Sequence, residues 1–371
     1  MPIYMDRHDV SDEVTAEHVA QLHQEDLKVE QQFKCRGLTY WFDENRKTAF
    51  CLVEAPNKQA LQDMHNHAHG ELPHSIIEVD ESIVESFLGR IEDPEKSKKT
   101  TLNIINDPAF RILMVTGIGR ASLNKNESNQ YMEVLPKYQQ LLNIVLGEFN
   151  GRIVKKEADC VLVSFDNVSS AVSCAVEVQT KFKKIISGLE NVGINLNIGL
   201  SSGIPVMEKE DLFADTIVLA ERMCNIATGE IVVSTEVKDL YKSENLNVFV
   251  EGEMINSLSP SDEKFLNQLM DYTEKMWQNT ELKVEDFSKN LGFSKAQLYR
   301  KMISLTGKSP NAFIKDYRLK NALALLNKQI GNISEIAFET GFNSPAYFSK
   351  CFHESFGILP SNYIKQSITY A

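Results

Sequence analysis

Gly341-Phe342-Asn343-Ser344-Pro345-Ala346-Tyr347-Phe348-Ser349-Lys350-Cys351-Phe352 reads as a chain reversal followed at once by a helix start. Glycine takes the left-handed backbone that ends a helix, and Ser344-Pro345 supplies a cap and a first-turn proline. Upstream, Asn332 with Glu335 three residues later is capping-box chemistry, so a short helix precedes the glycine. Downstream, Phe348, Phe352 and Phe356 recur at helical spacing and mark a buried stripe. The pattern occurs twice: Gly292-Phe293-Ser294, Leu298, Arg300, Met302, Gly307 and Pro310 anticipate Gly341-Phe342-Asn343-Ser344, Phe348, Lys350, Phe352, Gly357 and Pro360. From Leu298 onward the offset is a constant 50 residues, with one residue inserted after Gly341-Phe342.

The earlier copy has its own short helix carrying Val284, Phe287 and Leu291, and Ser294 with Gln297 caps the helix that follows. A helix from Ser309-Pro310 through about Leu326 joins the copies. Helix, glycine turn, helix is the helix-turn-helix unit, whose second helix enters the major groove. Leu298, Met302 and Leu305 face inward, leaving Lys295, Gln297, Arg300 and Lys301 outside; the second copy presents Ser344, Tyr347, Lys350 and His353. These residue types suit base edges and phosphates; the competing reading, ordinary solvated helix faces, is weakened by the tandem arrangement. The block resembles the AraC/XylS-type DNA-binding domain, most specifically at Phe338-Glu339-Thr340-Gly341-Phe342, Tyr347–Phe352 and Phe356-Gly357-Ile358-Leu359-Pro360. The resemblance implies two recognition helices reading successive major-groove segments of an operator.

Charge agrees. The chain of 371 residues carries a net charge of −12, yet residues 259–371 hold 14 basic and 11 acidic side chains. Residues 1–80 hold 7 and 15, and residues 81–258 hold 18 and 25, so only the C-terminal block has the sign that neutralises phosphates. A chain of this length holds two or three domains. With 43% apolar and 24% charged residues it has a soluble globular composition, without the apolar run of a membrane span. The N-terminus lacks the basic and apolar regions of a signal peptide, and a cytoplasmic protein is expected. Cys35, Cys51, Cys160, Cys174, Cys224 and Cys351 form no CxxC pair and are expected as thiols.

Residues 108–245 alternate: an apolar run at Ile112–Val115, a helix from about Tyr131 to Glu148, strands near Arg152–Val154 and Val161–Phe165, a helix near Ala171–Lys184, a strand at Ile194–Leu200, a helix at Thr216–Ala227 and a strand at Glu230–Ser234. Such alternation predicts an α/β domain. Val154-Lys155, Asp159, Val161-Leu162, Phe165, Asp215–Arg222 and Ala227–Ser234 resemble the class III nucleotide cyclase catalytic domain. That family uses two metal-holding aspartates, with an asparagine and an arginine that stabilise the transition state. The resemblance places the second aspartate at Asp159 and the arginine at Arg222, and puts Lys155 and Asp215 where adenine-selecting residues sit. It also puts Gly117 at the first aspartate and Val218 at the asparagine, so no catalysis is expected. What remains is a pseudoenzyme that binds ATP without reacting or a plain dimerisation scaffold, either one implying a homodimer; an active adenylate cyclase carrying a DNA-binding module is the alternative.

Residues 1–80 read as strand (Pro2–Arg7), helix (Thr15–Phe33), strand (Leu38–Phe42), strand (Thr48–Glu54), helix (Lys58–His69) and strand (Ser75–Val79). This βαββαβ order predicts an α+β ferredoxin-like sandwich. Seven of the eight histidines lie here, and His65 and His69 stand one helical turn apart, a geometry common for zinc, nickel or copper. His8 and His23 are candidates for further ligands, His67 lies off that face, and satisfied structural histidines are the competing reading. Met5–His8, Leu38–Asp43, Cys51–Pro56 and His69-Gly70 resemble a small family of bacterial nickel-binding ferredoxin-like proteins. Residues 81–107, with a helix near Ser82–Ile91 and the polar stretch Glu92–Lys99, are expected as a connector. The whole reads as a multidomain one-component transcription regulator: metal-binding sensor domain, cyclase-like dimeriser, all-α double helix-turn-helix reader of double-stranded DNA.

Overall fold

The structure, a computed structural model, describes residues 1–94, 102–120, 125–157, 159–189, 193–207, 209–245 and 254–370. Part of the expected connector, residues 95–101, lies outside them.

The first domain runs β1 (Ile3–Asp9), α1 (Ala16–Val29), a 3-10 turn (Glu30–Phe33), β2 (Arg36–Asp43), β3 (Thr48–Glu54), α2 (Lys58–Ala68) and β4 (Ser75–Val79). Its sheet order is β2-β3-β1-β4, antiparallel throughout, the ferredoxin-like arrangement expected. Side chains alternate across a strand, so each strand serves two cores. Tyr4, Tyr40, Phe42, Cys51 and Val53 pack under the helices with Val19, Leu61 and Met64, while Met5, Trp41, Phe50, Leu52 and Ile77 face the other way.

The second domain adds α3 (Glu81–Leu88), β5 (Arg111–Arg120), α4 (Lys125–Glu148), β6 (Arg152–Lys156), β7 (Cys160–Phe165), α5 (Val168–Ile186), β8 (Ile194–Gly203), α6 (Ala214–Ile226), β9 (Ile231–Val233), α7 (Thr235–Glu244) and β10 (Ile255–Ser257). The sheet is mixed, in the order β10-β9-β8-β5-β7-β6, with β8, β9 and β10 parallel. Four of its strands, β6-β7-β5-β8, with α4 and α5 repeat the βαββαβ order and strand arrangement of the first domain. One face lies under α4 and α5, around Met114, Tyr138, Val163, Phe165 and Phe182. The opposite face presents Leu113, Val115 and Leu162 to the outward face of the first sheet, with Val84, Phe87 and Phe213 between them.

The first two domains therefore share one core. Residues 81–107, read from sequence as a connector, contribute α3 to it: Val84, Phe87 and Leu88 are buried. The buried Arg111 donates to the carbonyls of Phe87 at 3.2 Å and Leu88 at 3.1 Å, satisfying the end of α3. The apolar face of the second sheet opposite α4 and α5 is thus covered within the chain.

The third domain follows β10 immediately. Ser259 caps α8 (Pro260–Met276), then come α9 (Val284–Leu291), α10 (Lys295–Thr306), α11 (Pro310–Asn327), α12 (Ile333–Glu339), α13 (Pro345–Phe356) and α14 (Pro360–Tyr370). Gly292 and Gly341 have φ of 72° and 80°, as the turns require. Phe265, Phe287, Leu298, Met302 and Phe313 form one core; Leu319, Ile336, Phe348, Phe352 and Ile358 form the other. The connecting α11 feeds both, which is why its apolar residues show no single stripe. Arg318 of α11 donates to the carbonyls of Trp277 at 2.7 Å and Asn279 at 2.6 Å, tying that helix to the turn after α8.

Candidate metal centre and DNA-reading helices

Strand β1 sends Tyr4, Asp6 and His8 toward the helices, and β3 sends Cys51 to the same side. Helix α2 sets His65 and His69 one turn apart above them, and α1 brings Asp26 alongside. His65 Nε2 lies 2.9 Å from Asp6 Oδ2, and its Nδ1 lies 3.0 Å from Asp26 Oδ1. His69 Nε2 lies 3.2 Å from the same Asp26 oxygen. His8 Nε2 is buried 3.3 Å from Asp6 Oδ1 yet makes no hydrogen bond. Asp6 Oδ1 accepts the Cys51 backbone N–H at 3.1 Å.

Burial alone would neutralise these groups, but their charges overrule it. Burial raises the Asp6 carboxyl, and the His8 and His65 imidazoles outweigh that and hold it well below the ordinary carboxylate range. Asp26 is lowered likewise, burial being outweighed by hydrogen bonds from His65 and His69. For His65 burial acts downward, and Asp6 with Asp26 still lift it to about 10. Burial, reinforced by Asp6, pushes the Cys51 thiol far up. Without metal the cluster is a buried imidazolium held between two carboxylates.

The donors of Asp6, His8, Cys51 and His65 all lie within 4.8 Å of one another, as do those of Asp26, His65 and His69. Imidazole, carboxylate and thiol together match the preferences of borderline divalent ions such as nickel and zinc, and the orphaned His8 nitrogen is an available ligand atom. A cavity of about 290 Å³ reaches the cluster. The structure therefore unites His8, His65 and His69 and adds Asp6, Asp26 and Cys51, which the sequence reading passed over. His23 is not among the clustered donors: it lines the cavity, but its Nε2 lies 3.3 Å from Asp93 Oδ2 and its ring packs on Tyr40. The alternating Asp6-x-His8 on one strand face was a usable signal; Asp26 had none.

Each of the four residues placed by the cyclase resemblance has its own partner within the chain. Lys155 is exposed and pairs with Glu157 at 2.9 Å, and Asp215 pairs with Lys209 at 2.5 Å. Asp159 accepts from the Tyr131 hydroxyl at 3.3 Å. Arg222 is buried and points to α8, donating to Asn267 Oδ1 at 2.8 Å and Asp271 Oδ1 at 2.5 Å, with Glu274 at 3.4 Å. Among the described residues no hydrogen bond or ion pair joins any two of the four. A Cβ at Gly117 would sit 3.5 Å from the Asp159 carbonyl and 3.9 Å from Cys224 Sγ.

In the third domain the residues expected at DNA lie on α10 and α13 or at their caps. Gln297 and Arg300 are exposed, and Gln297 Oε1 accepts from the Ser294 N–H at 3.0 Å, leaving its amide group outward. Lys295 is exposed and pairs with Glu285. Lys301 is half-buried, 5.1 Å from the Phe265 ring centroid and 3.7 Å from Asp262, so its ammonium is directed toward α8. Ser344 caps α13 through the Tyr347 N–H at 3.3 Å. Tyr347 is 52% exposed, and Lys350 is open to solvent beside Glu354. Tyr299, 52% exposed on α10, was not singled out from sequence although it sits on the outward face.

A helix-turn-helix domain model matches residues 287–366. The chain's last third is similar to AraC-type DNA readers. A model described as nickel responsive protein SCO4226-like matches residues 4–79. Among curated proteins, "Histidine kinase P4" of Formosa agariphila is 40% identical over 107 residues, covering 29% of this chain and 8% of the relative. "HTH-type transcriptional regulator MtrA" of Neisseria gonorrhoeae is 37% identical over 73 residues, 20% of this chain and 24% of the relative. "Putative adenylate cyclase 3" of Rhizobium meliloti is 28% identical over 131 residues, 34% of this chain and 22% of the relative. The chain spans less than half the length of each of these relatives. Among the described residues no helix is long and apolar enough to cross a membrane.

Proposed function

We propose that this protein is a sequence-specific DNA-binding transcription regulator whose first domain responds to a divalent transition metal, nickel or zinc. The observation that carries the DNA reading is the pair of capped recognition helices, α10 and α13, exposing Gln297, Arg300, Tyr347 and Lys350 on two cores that share α11. The metal reading rests on the buried Asp6–His8–Cys51–His65 and Asp26–His65–His69 groups, which gather ligand-type donors within 4.8 Å although burying charge is costly. A route between them exists in packing: the first two domains share one core, and Met223, Ala227 and Val232 of the second join the core of α8 to α11. The middle domain is read as a non-catalytic cyclase relative; Gly117, Val218 and the engagement of Arg222 by α8 support that. A second copy of the chain is the expected partner, joined through residues 108–245 on a surface other than the covered sheet face.

Selection of binding sites from random duplex DNA with the full chain, with and without nickel chloride, tests the reading. Enrichment of one motif, with affinity changed by nickel, is expected. Absence of any enriched motif in both conditions refutes the DNA reading, and an identical affinity with and without nickel or zinc refutes the metal response.

A further inference from the structure

We propose that the cleft between the second and third domains binds a small organic anion, a phosphate or carboxylate head on a flat body. The cleft, of about 330 Å³, opens between the ends of β5 and β8, the residues after α6, and the inner side of α11. That volume lies at the lower end of the range for small-molecule sites. It is separate from both the histidine cluster and the outward faces of α10 and α13.

Lys320 carries the argument. It lines the cleft with an exposed side chain, and among the described residues its ammonium makes no hydrogen bond or ion pair. The protein packed around that exposed side chain, with Lys308 adding repulsion, holds its ammonium below the ordinary lysine range. The one carboxylate lining the cleft, Asp316, is already paired with Lys308 at 2.8 Å. Two cations and one engaged carboxylate leave the cleft with an excess positive charge that an anionic head would neutralise through charge-assisted hydrogen bonds. A body is provided for as well. Phe313, Tyr317 and Met270 supply apolar and ring surface, and the exposed Asn225 supplies an edge able to hydrogen-bond. Asn195 Oδ1 is buried without a partner at the floor. Gly119 makes room there, because a Cβ at that position would meet Asn195 Oδ1 at 2.2 Å. A bound ligand would touch α6, α8 and α11 together and so fix the third domain against the second.

Thermal unfolding of the full chain with 10 mM phenyl phosphate or benzoate tests this, with benzyl alcohol as the neutral comparison. A ligand that binds only the folded chain raises its melting temperature, here by about 2 °C or more. The two anions distinguish a phosphate from a carboxylate preference, and benzyl alcohol should give no shift. Lys320→Met should abolish the shift; Asn225→Asp, an exposed change that adds a repelling charge, should abolish it too and guards against a folding defect in the first variant. No shift with either anion, or a shift that persists in both variants, overturns the proposal.

Discussion

Replacing His65 by leucine removes the cation between Asp6 and Asp26 while keeping the volume close. In the native chain His65 Nε2 and Nδ1 stand 2.9 and 3.0 Å from the two carboxylates, and both acids are buried. Removing one member of a buried charge network leaves uncompensated charge, at a cost of about 3–5 kcal/mol. The pH dependence follows from the same groups. His65 is raised from 6.5 to about 10, so its stabilisation is fully present below pH 6.5 and is lost as pH rises through about 10. Asp6 and Asp26 are lowered from 3.8, so their contribution is present above that pH and is lost as pH falls through their folded values. Metal-free protein should therefore be most stable between about pH 4 and 6.5 in this domain. Trp41 is buried in the first domain and Trp277 lies after α8, so Trp277→Phe leaves Trp41 as a local fluorescent reporter. Urea unfolding followed at Trp41 should show the His65→Leu loss at pH 6, and the added change Asp6→Asn should recover part of it. A loss below about 1 kcal/mol at pH 6, in the range of an exposed pair, would refute the buried-network account.

Nickel or zinc should raise the melting temperature of the full chain, and the double change His65→Ala with His69→Ala should remove that gain; equal gains in both proteins would take the metal away from this cluster. Lys350→Ala and Arg300→Ala should weaken operator binding, whereas Gln297→Ala should relax base preference, read by competition between single-base operator variants. Arg222→Met should loosen α8 from α6 by about 1–2 kcal/mol, because its acidic partners are exposed, and hydrogen exchange over residues 260–276 reports it. Wild-type protein with ATP and manganese should yield no cyclic nucleotide above background, and turnover would restore the cyclase reading.

Local chemistry made much of this molecule legible in advance. Gly292, Gly341 and the caps at Ser294, Asn332 and Ser344 act within a few residues, so the tandem helix-turn-helix could be read from spacing alone. The strands at Pro2–Arg7 and Thr48–Glu54 were likewise readable as elements. His65 and His69 were readable as a pair because a helix repeats in under four residues. Tertiary packing decided the rest. Asp6, Cys51 and Asp26 join the histidines only when β1, β3 and α1 fold over α2, contacts that span tens of residues and leave no local period. His23 is carried to Asp93 instead. The cyclase resemblance places Arg222 at a catalytic position, yet α8 engages it through Asn267 and Asp271, residues that no pattern links to it. The sequence by itself determined the elements and their outward chemistry, because caps, turns and periodicity are short-range. Which charged side chains meet, and which are spent holding domains together, was decided by the tertiary structure, because that depends on how three cores stack.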